Sequence, residues 1–278
     1  MVGAGRMGLP IVRALVRAGH DVRVADRRAE VAPAVRDAGA HWAPDDVLDG
    51  VEVLITVLPG SPEVRAVVPG LLERAAPGVA WIDLTSTAPD LGKELAEAAR
   101  KRGLVALDAP MGGGPGAELT LYVGGDAAVL DAYRDLLGAF AGRIHHCGGP
   151  GAGYLTKLLV NVLWFGQAAA VTEALLIGQR AGLAPEALGE LLNDGPAASA
   201  FLRDYLPALT SGDRLPSFGL DRIVEELESV QALAPYPVSG AVTALYRDAL
   251  AHFGPVNGEL LGAAYLEHLA GRRLTDPA

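Results

Sequence analysis

Gly3-Ala4-Gly5-Arg6-Met7-Gly8 spaces three glycines as G-x-G-x-x-G, and an acid, Asp26, follows 18 residues after the last of them. Each glycine in such a loop has its own use: a tight turn, close approach of backbone to a phosphate, and close packing of a helix on a strand. The pattern alone is weak. Its context strengthens it, because a stretch with helical apolar spacing, Leu9 to Ala18, follows directly and a β-branched run, His20 to Asp26, comes next. An acid at the end of that run can bind a ribose hydroxyl pair while the helix start receives the pyrophosphate. The combination predicts a dinucleotide site built from Gly3, Gly5, Arg6, Met7, Gly8 and Asp26. Arg27 and Arg28 stand beside the acid and could clasp the 2′-phosphate that Asp26 repels. NAD is slightly favoured over NADP in that contest. The loop can equally be read as a glycine-rich turn without a ligand, and the arginines as a solvated helix start.

These groups need a frame. The chain has 278 residues, half of them hydrophobic and a fifth charged, with 35 glycines and few aromatics, the profile of a close-packed α/β protein. Its formal charge of -10 leaves no basic stripe, which argues against nucleic acid. Val51 to Leu58, Val79 to Thr85 and Leu104 to Pro110 read as buried parallel strands, with helices at Ser61 to Ala75 and Pro89 to Arg102 between them. Leu119 to Gly125, Ala127 to Phe140 and Arg143 to Cys147 add a strand, a helix and a last strand. The fold class is therefore α/β, a Rossmann-type doubly wound, mostly parallel sheet. Only Met1 and Val2 precede Gly3, whereas a central strand needs about five or six residues, so the natural start is expected upstream.

Cys147-Gly148-Gly149-Pro150-Gly151-Ala152-Gly153 breaks both helix and strand. It divides the chain into a dinucleotide-binding domain, residues 1–150, and an all-helical domain, residues 151–278, for substrate and dimerisation. Tyr154 to Gly182 predicts one long helix, apolar on nearly every face between Leu158 and Ala170 and so expected to be enclosed by other helices. Its longest uncharged run, Leu158 to Thr172, is shorter than the ~20 residues of a membrane span. No membrane partner is expected. Cys147, the lone cysteine, reads as a buried inert thiol and fits a cytoplasmic location. His145 and His146 lack companions at ligand spacing, so no metal is expected.

The glycine loop with Met7, Leu58-Pro59-Gly60, Asp83-Leu84-Thr85-Ser86-Thr87-Ala88-Pro89, Asp108-Ala109-Pro110, Val123-Gly124-Gly125 and Gly151-Ala152-Gly153-Tyr154-Leu155-Thr156-Lys157 occur in order. Along essentially the whole chain these pieces resemble the 3-hydroxyisobutyrate dehydrogenase, or β-hydroxyacid dehydrogenase, family. The resemblance implies an NAD(P)-dependent oxidoreductase interconverting a hydroxyl and a carbonyl on a small molecule, and a homodimer whose second copy covers the long helix. It makes Lys157 the proton donor and acceptor on the substrate oxygen. An ammonium near a helix start, partly desolvated, suits that task. Asn161, one turn along the same face, can hold substrate or lysine by hydrogen bonds. Taken singly, a lysine at a helix start usually points to water and an asparagine in a helix merely weakens it. The resemblance also places Leu58, Pro59 and Ser86 on the cofactor and Thr85 on the substrate, although Thr85 and Ser86 could serve as a helix cap.

The chain departs from that family twice. Where a serine usually precedes paired glycines, Met111 is followed by Gly112-Gly113-Gly114, whose amides could still bind an anion as a nest. The stretch from Asp108 to Gly125 is about four residues short of the family's pattern. After Phe218, a Lys-Asp pair gives way to Glu225-Glu226, with Arg222 one turn earlier. Glu225 would repel a carboxylate substrate and favour a neutral or cationic one. These departures keep two other readings open: a reductase of imines, and a dinucleotide-binding protein without catalysis.

Overall fold

The computed structural model describes residues 1–113 and 118–277. They form two compact units, Met1–Lys157 and Leu158–Ala278.

In the first unit, α1 (Gly8–Arg17), β1 (Arg23–Val24), α2 (Ala32–Asp37), β2 (His41–Trp42), β3 (Val53–Thr56), α3 (Ser61–Arg74), β4 (Ala80–Asp83), α4 (Pro89–Lys101) and β5 (Val105–Asp108) alternate. β3, β4 and β5 are parallel, as are β1 and β2. Val2 joins the two groups as a single bridging residue, parallel to Ala25 on one side and Thr56 on the other. The first strand is thus one bridge long. Beyond β5, the short β6 (Met111–Gly112) and β5 itself pair antiparallel with one edge of β7 (Leu119–Gly125). α5 (Ala127–Gly138) then returns the chain to β8 (Ala141–Gly148), parallel to the other edge of β7.

Successive strand residues point to opposite faces of a sheet, so a strand covered on both sides must be apolar throughout. The strand middles follow this rule: Ile55 and Ile82 pack with Ile11, Val12 and Leu15 of α1, while their neighbours Leu54 and Trp81 pack with Val64, Val68 and Leu72 of α3 and Leu91 and Leu95 of α4. The exceptions are Thr56, Asp83 and Asp108, buried polar residues at the strand ends. Each fully buried side chain of this size is worth about 1.5–3 kcal/mol. Cys147 lies in the outer strand β8 and is half-buried, its Sγ 3.5 Å from the His145 carbonyl, rather than enclosed as its residue type suggested.

α6 (Ala152–Arg180) starts in the first unit and continues in the second, which is completed by α7 (Pro185–Asn193), α8 (Ala200–Ser211), α9 (Leu220–Leu233), α10 (Pro237–Phe253) and α11 (Leu261–Ala270). Leu158, Asn161, Phe165, Ala168, Thr172, Leu175 and Gln179 form the buried face of α6. Trp164 meets Phe165, Phe201 and Tyr205 edge-on with ring centres about 5 Å apart. The expectation that this helix is enclosed on all sides does not hold within one chain. Leu159, Leu163 and Ile177 are 46%, 66% and 71% exposed, because the other helices cover only the opposite stripe. By length and composition alone, α6 also meets the requirement for a membrane span that the shorter uncharged run did not reach.

Candidate active site

The glycine loop is shaped by contacts that leave no room for side chains. Gly3 has φ +97°, and a Cβ there would lie 2.0 Å from the Val57 carbonyl oxygen. One on Gly8, the first residue of α1, would lie 2.2 Å from the carbonyl oxygen of Gly3. The helix start is therefore pressed onto the turn. At Gly5 the nearest atom to an added Cβ is the Arg28 guanidinium at 3.3 Å, a close approach by the end of a flexible side chain rather than by backbone. Met7 caps α1 without a side-chain hydrogen bond, and first-turn amides have no acceptor inside their own helix. Together these residues fit the pyrophosphate of a dinucleotide. Arg6 is exposed and Met7 half-buried at the rim.

Asp26 closes this cradle. Its Oδ2 accepts the Ala4 amide at 2.8 Å, and its two oxygens accept Nε and Nη2 of Arg28, each at 3.1 Å, together with the Arg28 amide at 2.9 Å. Burial on its own would raise the Asp26 carboxyl; the Arg28 guanidinium and the two amides outweigh it and hold the group below its ordinary 3.8. The guanidinium that meets the acid belongs to Arg28, and Arg27 is exposed.

At the ends of β4 and β5, Asp83 and Asp108 are register partners. Asp83 is completely buried. Its Oδ1 accepts the hydroxyls of Thr56 at 2.7 Å and Thr85 at 2.6 Å, and its Oδ2 accepts the Tyr154 hydroxyl at 2.7 Å. The Thr85 hydroxyl in turn accepts the Leu58 amide at 3.0 Å. Asp108 caps the start of α6, accepting the Gly151 amide at 2.8 Å and the Tyr154 amide at 3.0 Å. Burial raises both carboxyls, against the opposing pull of those hydrogen bonds. Glycines clear the space: a Cβ on Gly124 would stand 2.6 Å from the Asp108 carboxylate, and one on Gly153 would stand 2.2 Å from the Tyr122 carbonyl oxygen.

The structure thus ties Leu58 and Thr85 to one buried acid. The α4 cap is Ala88, without a side-chain hydrogen bond, so neither Thr85 nor Ser86 caps that helix. Ser86 is half-exposed beside Thr85, and Pro59 is exposed next to Leu58. Gly112 ends β6 and Gly113 has φ +92°; Gly114 lies outside the described residues. Lys157 is half-buried in α6, less than one turn beyond Tyr154.

In the second unit the Asn161 amide donates a short hydrogen bond to Glu226, and both residues are buried. Glu225, which the sequence singled out, instead accepts Nη1 of Arg222 at 2.8 Å and is partly exposed. The helical phase of α9 carried this information: Leu220, Ile223, Leu227 and Val230 are its buried face, and Glu226 falls in that stripe. Asp83, Asp108 and Tyr154 were visible only as motif letters, since no spacing rule announces that three such groups converge.

Residues 1–149 match the family described as the NAD binding domain of 6-phosphogluconate dehydrogenase, and residues 151–260 match that described as NAD-binding of NADP-dependent 3-hydroxyisobutyrate dehydrogenase. An NAD-dependent L-serine dehydrogenase of Pseudomonas aeruginosa is 32% identical over 88% of this chain and 90% of its own length. The structure of a Mycobacterium tuberculosis 3-hydroxyisobutyrate dehydrogenase with L-serine superposes with a TM-score of 0.87 at 25% identity, over 96% of this chain and 97% of that one. An imine reductase from Pseudomonas sp. shares the fold at a TM-score of 0.61 and 21% identity, over 96% and 97% of the two chains.

Proposed function

The chain belongs to the 3-hydroxyisobutyrate dehydrogenase family of NAD(P)-dependent oxidoreductases acting on CH-OH groups, and we propose that it oxidises a small 3-hydroxy acid with Lys157 taking the proton from the substrate hydroxyl. The observation that carries this reading is the anchoring of the Lys157 helix by Asp108 and Tyr154 to the strand ends, where open α/β sheets bind their ligands. A dinucleotide held by Gly3, Gly5, Gly8 and Asp26 would supply the hydride acceptor for the alcohol carbon. The Lys157 amine receives the hydroxyl proton as the carbonyl forms, and returns it in the reverse direction. Asn161, one turn on, orients the oxygen by a hydrogen bond, its own amide fixed by Glu226. Residues 1–150 hold the dinucleotide; residues 151–278 serve the substrate and a second copy of the chain.

Asp26 favours a free ribose diol and hence NAD, because a 2′-phosphate must draw Arg28 away from the carboxylate it now holds. Glu225 and Glu226 stand where a Lys-Asp pair is usual; Arg222 pairs with Glu225 and Asn161 with Glu226. The missing lysine favours a substrate whose carboxylate is accompanied by an ammonium, which puts L-serine ahead of 3-hydroxyisobutyrate. The exposed stripe of α6 is read as a dimer seam rather than a lipid face, since the other side of the helix hydrogen-bonds within its own unit through Asn161 and Gln179. With a single cysteine in the chain, a reducing, cytoplasmic setting fits. Imine reduction is the second reading, kept by the glycines that replace the family's serine.

In Lys157→Ala, turnover of NAD+ with L-serine or 3-hydroxyisobutyrate should fall by about 100-fold or more, while NADH affinity stays within about two-fold. Undiminished turnover overturns the assignment. Faster turnover of a cyclic imine with NADPH than of either hydroxy acid establishes the second reading instead.

A further inference from the structure

We propose that Tyr154 is a positioning residue that, through its hydrogen bond to Asp83, sets the Lys157 amine relative to the Leu58–Thr85 edge of the dinucleotide site. The proposal rests on the catalytic reading of Lys157. Tyr154 is 1% exposed, and Gly92 provides its seat: a Cβ there would lie 2.3 Å from the ring carbon Cε2. A phenylalanine would fill the same space. The hydroxyl therefore adds something other than volume, and burying it is costly unless it is bonded. Its partner is an acid that also fixes the Thr85 hydroxyl, which receives the Leu58 amide. One carboxylate thus holds both the strand edge and the helix turn that carries the lysine. Tyr154 has two side-chain torsions and its backbone amide is fixed by Asp108, so little slack remains between Asp83 and the turn of α6 that carries Lys157. Reacting groups tolerate misplacement poorly: a shift of about 1 Å can cost 100-fold in rate.

The test uses the full chain carrying Tyr154→Phe, with Gly92→Ala as a second variant that pushes the ring without touching the hydroxyl. With NAD+ and L-serine or 3-hydroxyisobutyrate, kcat should fall about ten-fold in each, with KM and NADH affinity within two-fold and a larger solvent deuterium isotope effect on kcat. A readout independent of turnover is available because the chain has three lysines, Lys93, Lys101 and Lys157. After reductive 13C-methylation, the NMR titration midpoint of Lys157 should move in Tyr154→Phe while those of Lys93 and Lys101 stay. A variant that loses thermal stability but keeps the wild-type kcat, isotope effect and Lys157 midpoint refutes the positioning role. If Lys157→Ala loses turnover and Tyr154→Phe does not, this inference alone fails. If Lys157→Ala keeps its turnover, the catalytic reading fails, and the midpoint still decides whether Tyr154 governs that amine.

Discussion

Gly8→Ala probes the fit between the turn and the helix that follows it. The added methyl would stand 2.2 Å from the Gly3 carbonyl oxygen and 3.0 Å from its carbon, against a comfortable separation of roughly 3.5 Å. Both partners are backbone, so no side-chain rotation relieves the overlap, and loop and helix must part by about 1 Å. Overpacking of this kind costs about 1–3 kcal/mol of stability. The loop amides then no longer converge on one anion. Loss of a single hydrogen bond to a charged group, about 1.5–3 kcal/mol, weakens NADH binding about ten- to 100-fold at 1.4 kcal/mol per decade. Fluorescence titration with NADH measures this, alongside urea unfolding of the same sample. Gly70→Ala is the control, because Gly70 lies inside α3 with nothing within 4 Å of an added Cβ. It should gain about 0.5–1 kcal/mol and leave NADH affinity unchanged. A folded Gly8→Ala protein that binds NADH within two-fold of wild type would refute the reasoning about the loop.

Burial raises Asp83 above its ordinary 3.8, so the folded chain holds that proton more tightly than the unfolded one and this contribution to stability is lost as pH rises from 3.8 through the raised value. The unfolding free energy of wild type minus that of Asp83→Asn should therefore decline across that range in urea titrations; a flat difference counts against it. Glu226→Ala removes the buried acceptor of the Asn161 amide and should cost about 1–3 kcal/mol, with Glu226→Gln nearer wild type; equal unfolding curves for Ala and wild type would contradict this. Leu163→Glu places a charge on the most exposed of the α6 leucines and should yield folded monomers in sedimentation velocity, with a lower thermal midpoint because association no longer stabilises the fold, whereas an unchanged sedimentation coefficient would reject a seam there.

Much of the first unit was legible because each of its signals is local. The glycine spacing, the apolar runs of β3 to β5 and the breaks around Gly149 and Pro150 each act on their own neighbours, and the elements form close to where those residues place them. What escaped was long-range. Asp83, Asp108 and Tyr154 are separated by up to 71 residues and meet only because two strands end in register beside a helix start. The enclosure expected for α6 failed for a related reason: composition says that a face is apolar, but not whether this chain supplies its cover. Arg28 rather than Arg27 faces Asp26 because its backbone amide is itself bonded to that carboxylate, a local geometry that residue type leaves undetermined.

The unbroken run of α6 has an evolutionary corollary. Inserting one residue between Lys157 and Asn161 would turn Asn161 by about 100° relative to the lysine, carrying the amide off the face that Lys157 occupies. Such a helix works like a reading frame: a substitution alters one position along it, while a change of length alters the facing of every position beyond.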